Sequence, residues 1–207
     1  MVKQDNVSGV ILAGGRSRRL GRMKAIEPFD GRPLISHVIG KLLEIVDKIV
    51  VVVNDPEQSQ LLPIPSETSV RVVQDIFGEA GSLGGIFTGI SEIETNWGIV
   101  VACDMPFLNV ELLQHLSSSG KNVDAIIPRI KGFPEPTHAL YSKGCLPYMK
   151  KNIQNGDLKI ANFYTDIHVR YVDEKELHKY DAELKSFFNV NTEEDLNIAL
   201  KNVSELQ

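Results

Sequence analysis

Along this chain, short runs of apolar, β-branched residues alternate with longer segments whose apolar positions recur every three or four residues. The short runs are Val7 to Leu12, Lys48 to Val53, Val70 to Val73, Trp97 to Cys103 and Asp124 to Ile127. Each is bounded by turn residues and is too short for a helix, so each reads as a buried strand. Between them, Gly31-Arg32-Pro33 opens a helix whose apolar face is Leu34, Ile35, Val38, Ile39, Leu42, Leu43 and Val46, with proline in the first turn. Asn54-Asp55-Pro56 marks a turn before a short helix through Leu62. Further helices are expected from about Leu83 to Ile93 and, capped by Asn109, through Leu116. Such alternation predicts a three-layer α/β/α sandwich, in which right-handed crossovers build a mostly parallel, Rossmann-like sheet. From about Pro128 the pattern loosens: Pro134-Glu135-Pro136-Thr137 interrupts it before Ala139-Leu140-Tyr141, and helical stretches precede a β-rich segment from His168 to Val172. No linker or repeat divides the chain, so a single domain with an elaborated C-terminal half is expected over residues 1–207.

The turn after the first strand carries the strongest chemical signal. Gly14 and Gly15 leave the main chain bare, so N–H groups can approach a phosphate, and Arg16, Arg18, Arg19, Arg22 and Lys24 follow at once. Five cations fall within nine residues of a chain whose net charge is −5. A solvated basic loop is the plainer explanation, but glycines and cations directly after a strand point to a polyphosphate site. Two familiar phosphate loops do not fit. Gly15 to Gly21 is one residue too long for G-x-x-x-x-G-K-[ST] and lacks the Lys-Ser/Thr ending, and no G-x-G-x-x-G occurs in this turn.

Composition narrows the setting. Of 207 residues, 43% are hydrophobic and 24% charged, which is ordinary for a globular domain with a good core. The longest apolar runs are too short to cross a bilayer and the N-terminal residues lead into no signal-peptide core, so a cytoplasmic protein without membrane contact is expected. Cys103 and Cys145 fit a reducing compartment and offer no metal framework. A pI near 5.6 argues against nucleic acid as a partner.

Open α/β sheets bind ligands beyond the carboxyl ends of their strands. The residues there form a coherent set: the basic glycine loop after the first strand, Asn54 after the second, Gln74-Asp75 after the third and Asp104-Met105-Pro106 after the fourth. Asp104 suits a Mg²⁺ ion that arrives with phosphates, because that hard cation takes one or two carboxylates plus phosphate oxygens. A turn or cap role for Asp104 is the alternative. The stretch Gly78 to Ile86 holds four further glycines, where Gly84 and Gly85 would either admit a flat base or sugar or let a helix pack closely.

Taken in order, LAGGRSRRLGRMK, GRPLISHV, VVVVND, VVQDIF, GSLGGIFTGI, ACDMPFL, PEPTHALY and FFNVNTEEDL resemble the MobA family, the molybdenum cofactor guanylyltransferases. The resemblance covers nearly the whole chain. Its first motif is shared with cytidylyl- and uridylyl-transferring relatives, whereas LAGG in place of LAAG, GSLGGI and NVNT favour the guanylyl branch.

That resemblance implies transfer of GMP from GTP to the terminal phosphate of molybdopterin carrying molybdenum, with release of pyrophosphate. GTP and molybdopterin would be the substrates, Mg²⁺ the cofactor, and the molybdoenzymes or their chaperones the partners that receive the product. By family match Leu12, Ala13, Gly14, Gly15, Asn54 and Asp75 contact the nucleotide, Lys24 the phosphates and Asp104 the metal. The chemistry agrees: in-line attack on the α-phosphate needs charge neutralisation and alignment, which Mg²⁺, Arg19 and Lys24 can supply. Arg19, Lys24 and Asp104 are thus the expected catalytic residues. Asp75 is a candidate acceptor for the guanine N1–H and amino group. Residues 1–127 would be the nucleotide-binding half and 128–207 the acceptor-binding half, with Lys159, Asn189 and Asn191 on the acceptor. Asn191 or Thr192 could equally be a plain helix cap before Glu193-Glu194-Asp195. Pro136 and His138 could line a pterin pocket, though a strand histidine is commonly structural. Lys159 stands where family members commonly carry arginine, keeping the charge without the planar fork, and Met23 stands at a site often acidic in relatives. A CTP-dependent relative with another phosphate acceptor, and a nucleotide-binding regulatory or delivery module without activity, are the alternatives.

Overall fold

The computed structural model describes residues 6–14, 23–64, 69–118 and 122–204. Its centre is a sheet built from β1 (Val7–Leu12), β4 (Ile49–Val53), β5 (Val70–Gln74), β6 (Trp97–Ala102), β7 (Ala125–Ile130), β8 (Phe133–Pro134), β9 (His138–Ser142) and β10 (Val169–Asp173); β2 (Pro28–Phe29) and β3 (Arg32–Pro33) form a separate small hairpin. The order across the sheet is β10-β7-β9-β6-β1-β4-β5, with β8 added to the upper end of β7. All pairs along that path are parallel except those of β9, which runs antiparallel between β6 and β7. The expected sandwich is therefore present, with one reversed strand inserted near its middle.

Helices cover both faces: α1 (Leu34–Leu43), α2 (Pro56–Leu61), α3 (Gly81–Glu92), α4 (Val110–Ser118), α5 (Leu146–Gln154), α6 (Glu174–Leu177) and α7 (Glu193–Ser204). The central strands are apolar on both sides because both sides are covered; every residue of β4 is buried. One core joins Ile35, Val38 and Leu42 of α1 and Leu112, Leu113 and Leu116 of α4 to Ile11, Val51 and Val101. The opposite core joins Leu83, Ile86 and Ile90 of α3 and Met149 of α5 to Val10, Val52 and Val100. A third cluster packs Phe29 and Leu34 against Val190 and Ala199, fixing α7 to the β2–β3 hairpin.

Several boundaries differ from the sequence expectation for local reasons. Arg32 and Pro33 belong to the hairpin, so α1 starts at Leu34 with Pro33 as its N-cap; the hairpin turns on Asp30 (φ 45°) and Gly31 (φ 74°). Val46 lies beyond the end of α1 yet remains buried. The helix expected from Leu83 begins at Gly81, whose φ of 58° turns the chain into it. Met23 is buried in the main core, which accounts for an apolar residue at that position. Among the described residues no helix is long and apolar enough to cross a membrane.

Candidate active site

The strand ends converge as the topology requires. The ladder continues one residue past three strands, Ala13 N donating to Val52 O at 2.8 Å, Asp75 N to Val53 O at 2.7 Å and Cys103 N to Leu12 O at 3.1 Å. Gly14, Asn54, Asp75 and Asp104 are thereby delivered to one edge. There a cleft of about 170 Å³ opens between β1, β4 and the start of α3, lined by Leu12, Gly14, Val52, Asn54, Gly81, Ser82 and Gly85. A Cβ placed on Gly14 would lie 1.9 Å from Asn54 Oδ1 and 3.0 Å from Asn54 N, so any side chain here would displace this amide. Gly85 lines the cleft and also packs against Leu12, while Gly84 abuts Ala80, Asp75 and Phe77. The two explanations for those glycines thus divide between them. A larger cleft, about 330 Å³, lies at the opposite edge of the sheet. Its charged side chains pair with one another, Lys48 with Glu94 and Arg71 with Glu92.

Lys24 begins a short 3-10 turn, Lys24–Ile26, whose Ala25 is buried. Its Nζ donates to Asp104 Oδ2 at 2.6 Å and to Asn191 Oδ1 at 2.6 Å. Asp104 is buried, and among the described residues its Oδ1 has no hydrogen-bond partner. An orphaned buried carboxylate oxygen costs free energy unless a cation or donor completes it. Among the described residues no group of three acidic, histidine or cysteine side chains forms a closed cage. One carboxylate with an oxygen unpaired among the described residues, at the strand edge that also carries Gly14 and Asn54, fits a hard divalent cation that keeps waters and phosphate oxygens.

The last helix anchors the other side. Thr192 Oγ1 accepts from Asp195 N at 3.1 Å, and Asp195 Oδ2 accepts from the Asn191 and Thr192 N–H groups at 3.0 and 2.9 Å. Thr192 is therefore the cap, which frees the Asn191 amide for Lys24. These bonds and the Lys24 charge hold the Asp195 carboxyl below its usual range, against the opposing effect of burial. Val190 N donates to Asp104 O at 2.9 Å, and Asn189 Nδ2 donates to Phe187 O at 3.0 Å.

Other expected site residues fall out as follows. Asp75 is buried, and its Oδ1 accepts from Thr88 Oγ1 at 2.8 Å and Phe77 N at 3.0 Å, so one oxygen organises the 75–80 turn. Lys159 is exposed and follows α5, which leads back from the amino edge toward the carboxyl edge. His138 is structural. Buried in β9, it stacks on Phe187 with centroids 4.3 Å apart and its Nδ1 meets Ser186 O at 3.2 Å; burial lowers its pKa to about 4. The Pro136 carbonyl accepts from Tyr141. Gly15 and Arg19, with Arg16, Arg18 and Arg22, lie outside the described residues. Gly81 and Ser82, within the glycine-rich stretch Gly78 to Ile86, line the cleft as well, although neither was assigned a role of its own from the sequence.

Residues 9–168 match the model of the MobA-like NTP transferase domain. The chain is 38% identical over 201 residues to a probable molybdenum cofactor guanylyltransferase of Natranaerobius thermophilus, covering 95% of this chain and 96% of that protein. It is 34% identical over 197 residues to a molybdenum cofactor guanylyltransferase of Desulfosudis oleivorans, covering 94% and 95%. The crystal structure of molybdopterin-guanine dinucleotide biosynthesis protein A from Archaeoglobus fulgidus superposes with a TM-score of 0.83 at 32% identity, covering 96% of this chain and 99% of that one. The chain belongs to the MobA-like NTP transferase family.

Proposed function

We propose that the protein transfers GMP from GTP to the terminal phosphate of molybdenum-bearing molybdopterin. The observation that carries this reading is the meeting of Lys24, Asp104 and Asn191 at one ammonium, on the strand edge where the cleft of about 170 Å³ opens. Leu12, Ala13 and Gly14 bring bare backbone to the nucleotide, and Asn54 closes over Gly14. Asp75 keeps Oδ2 for the N1–H and amino group of guanine, an edge adenine does not present. Asp104 would hold the divalent ion, Mg²⁺, which when bound neutralises phosphate charge and aligns the groups. Lys24 lies within reach of the same phosphates and offsets the charge that builds on them.

An acceptor phosphate oxygen then attacks the α-phosphorus in line. The new O–P bond forms as the bond to the β-phosphate breaks, and pyrophosphate leaves with the electron pair. Asn189 and Asn191 stand on the acceptor side, and Lys159 supplies a cation from the turn after α5. Gly15 and Arg19 join the phosphate loop in this scheme. The receiving molybdoenzymes or their chaperones would collect the product in the cytoplasm. A thermal-shift panel of GTP, ATP, CTP and UTP with Mg²⁺ tests the donor assignment, since a ligand bound only by the native state raises its stability as RT ln(1 + [L]/Kd). GTP should shift the midpoint most; a larger shift with CTP would favour a cytidylyl-transferring enzyme.

A further inference from the structure

Glu135 is a half-buried carboxylate that no other described side chain engages. Its side chain has no hydrogen bond or ion pair among the described residues, and burial raises its pKa without a compensating partner. Its backbone does have a defined place. Glu135 N donates to Pro128 O at 2.9 Å, which extends the β7–β8 ladder, where Ile130 pairs with Phe133 and Arg129 with Pro134. Alternate strand residues share a face, so Phe133 and Glu135 lie on one side of the ribbon, about 7 Å apart along it. That is the side of Ile130, which packs on the core beneath α1 and α4. Phe133 is 73% exposed, at the tip of a hairpin turned by Lys131 (φ 51°) and Gly132 (φ 80°). An exposed aromatic ring thus stands beside an unpaired acceptor.

The position of this pair relative to the site follows from the contacts. β8 and Glu135 stand above β9, whose neighbour β6 leads into Asp104. His138 N donates to Glu135 O at 3.2 Å, and the His138 ring stacks on Phe187. Phe187 O accepts from Asn189, and the next residue, Val190, bonds Asp104 O. An unbroken run of contacts therefore leads from Glu135 through the acceptor-side loop to Lys24. Asp75 lies across β1, at the far edge of the sheet after β5. Two carboxylates flank Asp104 on opposite sides.

A dinucleotide made of guanosine and a pterin has a matching symmetry. Both heads carry a 2-amino-4-oxopyrimidine ring, which presents adjacent ring N–H and amino donors on one edge. A carboxylate is acceptor-only and has two oxygens for two such donors. We propose that Glu135 and Phe133 form the head-group subsite for the acceptor, with Glu135 accepting from the N–H and amino edge of a 2-amino-4-oxopteridine and Phe133 covering its ring. The inference rests on the reading of the acceptor as a pterin phosphate.

The test uses the full chain and two fluorescent pteridines, 6-hydroxymethylpterin and 6-hydroxymethyllumazine, the second having oxygen in place of the 2-amino group. Binding is read by fluorescence quenching in the presence of GTP. The wild type should prefer the pterin by about tenfold, the worth of one charge-assisted hydrogen bond. Glu135→Gln should erase that preference, and Phe133→Ala should weaken both ligands alike. GTP-induced thermal shifts equal to wild type verify that each variant is folded. A Glu135→Gln protein that keeps the preference overturns the subsite while leaving the pterin reading intact. A wild type that binds GTP but neither pteridine overturns both. Loss of Mn²⁺ binding in Glu135→Gln with the preference intact would make Glu135 a metal ligand and also overturn the proposal.

Discussion

The Lys24 ammonium stands 2.6 Å from Asp104 Oδ2 and holds the Asn191 amide oxygen at the same distance. An early 3-10 turn, the end of the central strand and the entry to the last helix therefore meet at one nitrogen. Lysine can do this because its ammonium is a compact charge with three donors on a flexible stem. Among the described residues the third donor has no partner, and in the proposed reaction it would meet a phosphate.

The same contact makes Lys24 a competitor for cations at Asp104. Lys24→Met should raise the affinity for Mn²⁺ without nucleotide by about tenfold, since it removes a positive charge in contact with the carboxylate. The variant should also lose about 1–3 kcal/mol of stability from the unpaired buried charge, recovered when Mn²⁺ is added. Electron paramagnetic resonance titration and denaturant unfolding measure the two effects. Unchanged Mn²⁺ affinity would mean that the ion does not bind at Asp104.

Gly14→Ala should weaken GTP binding by about tenfold or more. The new methyl would occupy the place of the exposed Asn54 amide, so Asn54 must leave the cleft, while stability changes by less than about 1 kcal/mol. Calorimetric titration against wild type decides it; full affinity would move the nucleotide elsewhere.

Gly89→Ala acts on the scaffold instead. Its Cβ would meet Val10 Cγ1 at 2.2 Å, where α3 lies on β1. Overpacking of this kind costs about 1–3 kcal/mol, and urea unfolding should show it. A loss near zero would mean that α3 shifts freely over the sheet.

Lys159→Ala should raise KM for the acceptor by about tenfold, the loss of one phosphate contact, and leave GTP affinity unchanged. Lys159→Arg should recover or exceed the wild-type value, because the guanidinium grips a phosphate with two donors. Weaker GTP binding in Lys159→Ala would place this residue on the donor side.

His138 predicts an acid-sensitive fold. Burial lowers its pKa to about 4 from 6.5, so between those values the unfolded chain binds the additional proton and stability falls as pH drops. By pH 5 the wild type should have lost about 2 kcal/mol on this account, and above about pH 7.5 almost nothing. His138→Leu should lack that part of the slope between pH 7 and pH 5 in urea unfolding, whatever its stability at pH 7. An identical slope would mean that His138 titrates normally.

Much of this architecture was legible in the chain because parallel strands buried on both faces are written as continuous apolar runs, as in Ile49–Val53. The place of β9 was not. Ala139-Leu140-Tyr141 stands out in the sequence only as a short apolar run after Pro134–Thr137, and the antiparallel slot of β9 between β6 and β7 is set by pairing across the sheet. The β2–β3 hairpin passed as the start of a helix, though Asp30-Gly31 is a hairpin-turn signal. For the candidate site, the rule that ligands gather at strand ends picked out Gly14, Asn54, Asp75 and Asp104, which the structure brings to one edge. The Lys24–Asn191 bond joins residues 167 positions apart, and no local pattern encodes it. Thr192 and Asn191 were equally good caps on paper, and only the bond from Asp195 N to Thr192 separates them.

The central claim is guanylyl transfer to a pterin phosphate. The direct measurement is pyrophosphate release by the purified protein with Mg²⁺ and molybdopterin, supplied in turn with GTP, ATP, CTP and UTP, with the guanine dinucleotide product identified by mass. Release with GTP alone, dependent on the acceptor and abolished in Asp104→Ala, is the predicted result. Release with CTP in place of GTP, or full activity of Asp104→Ala, would contradict it.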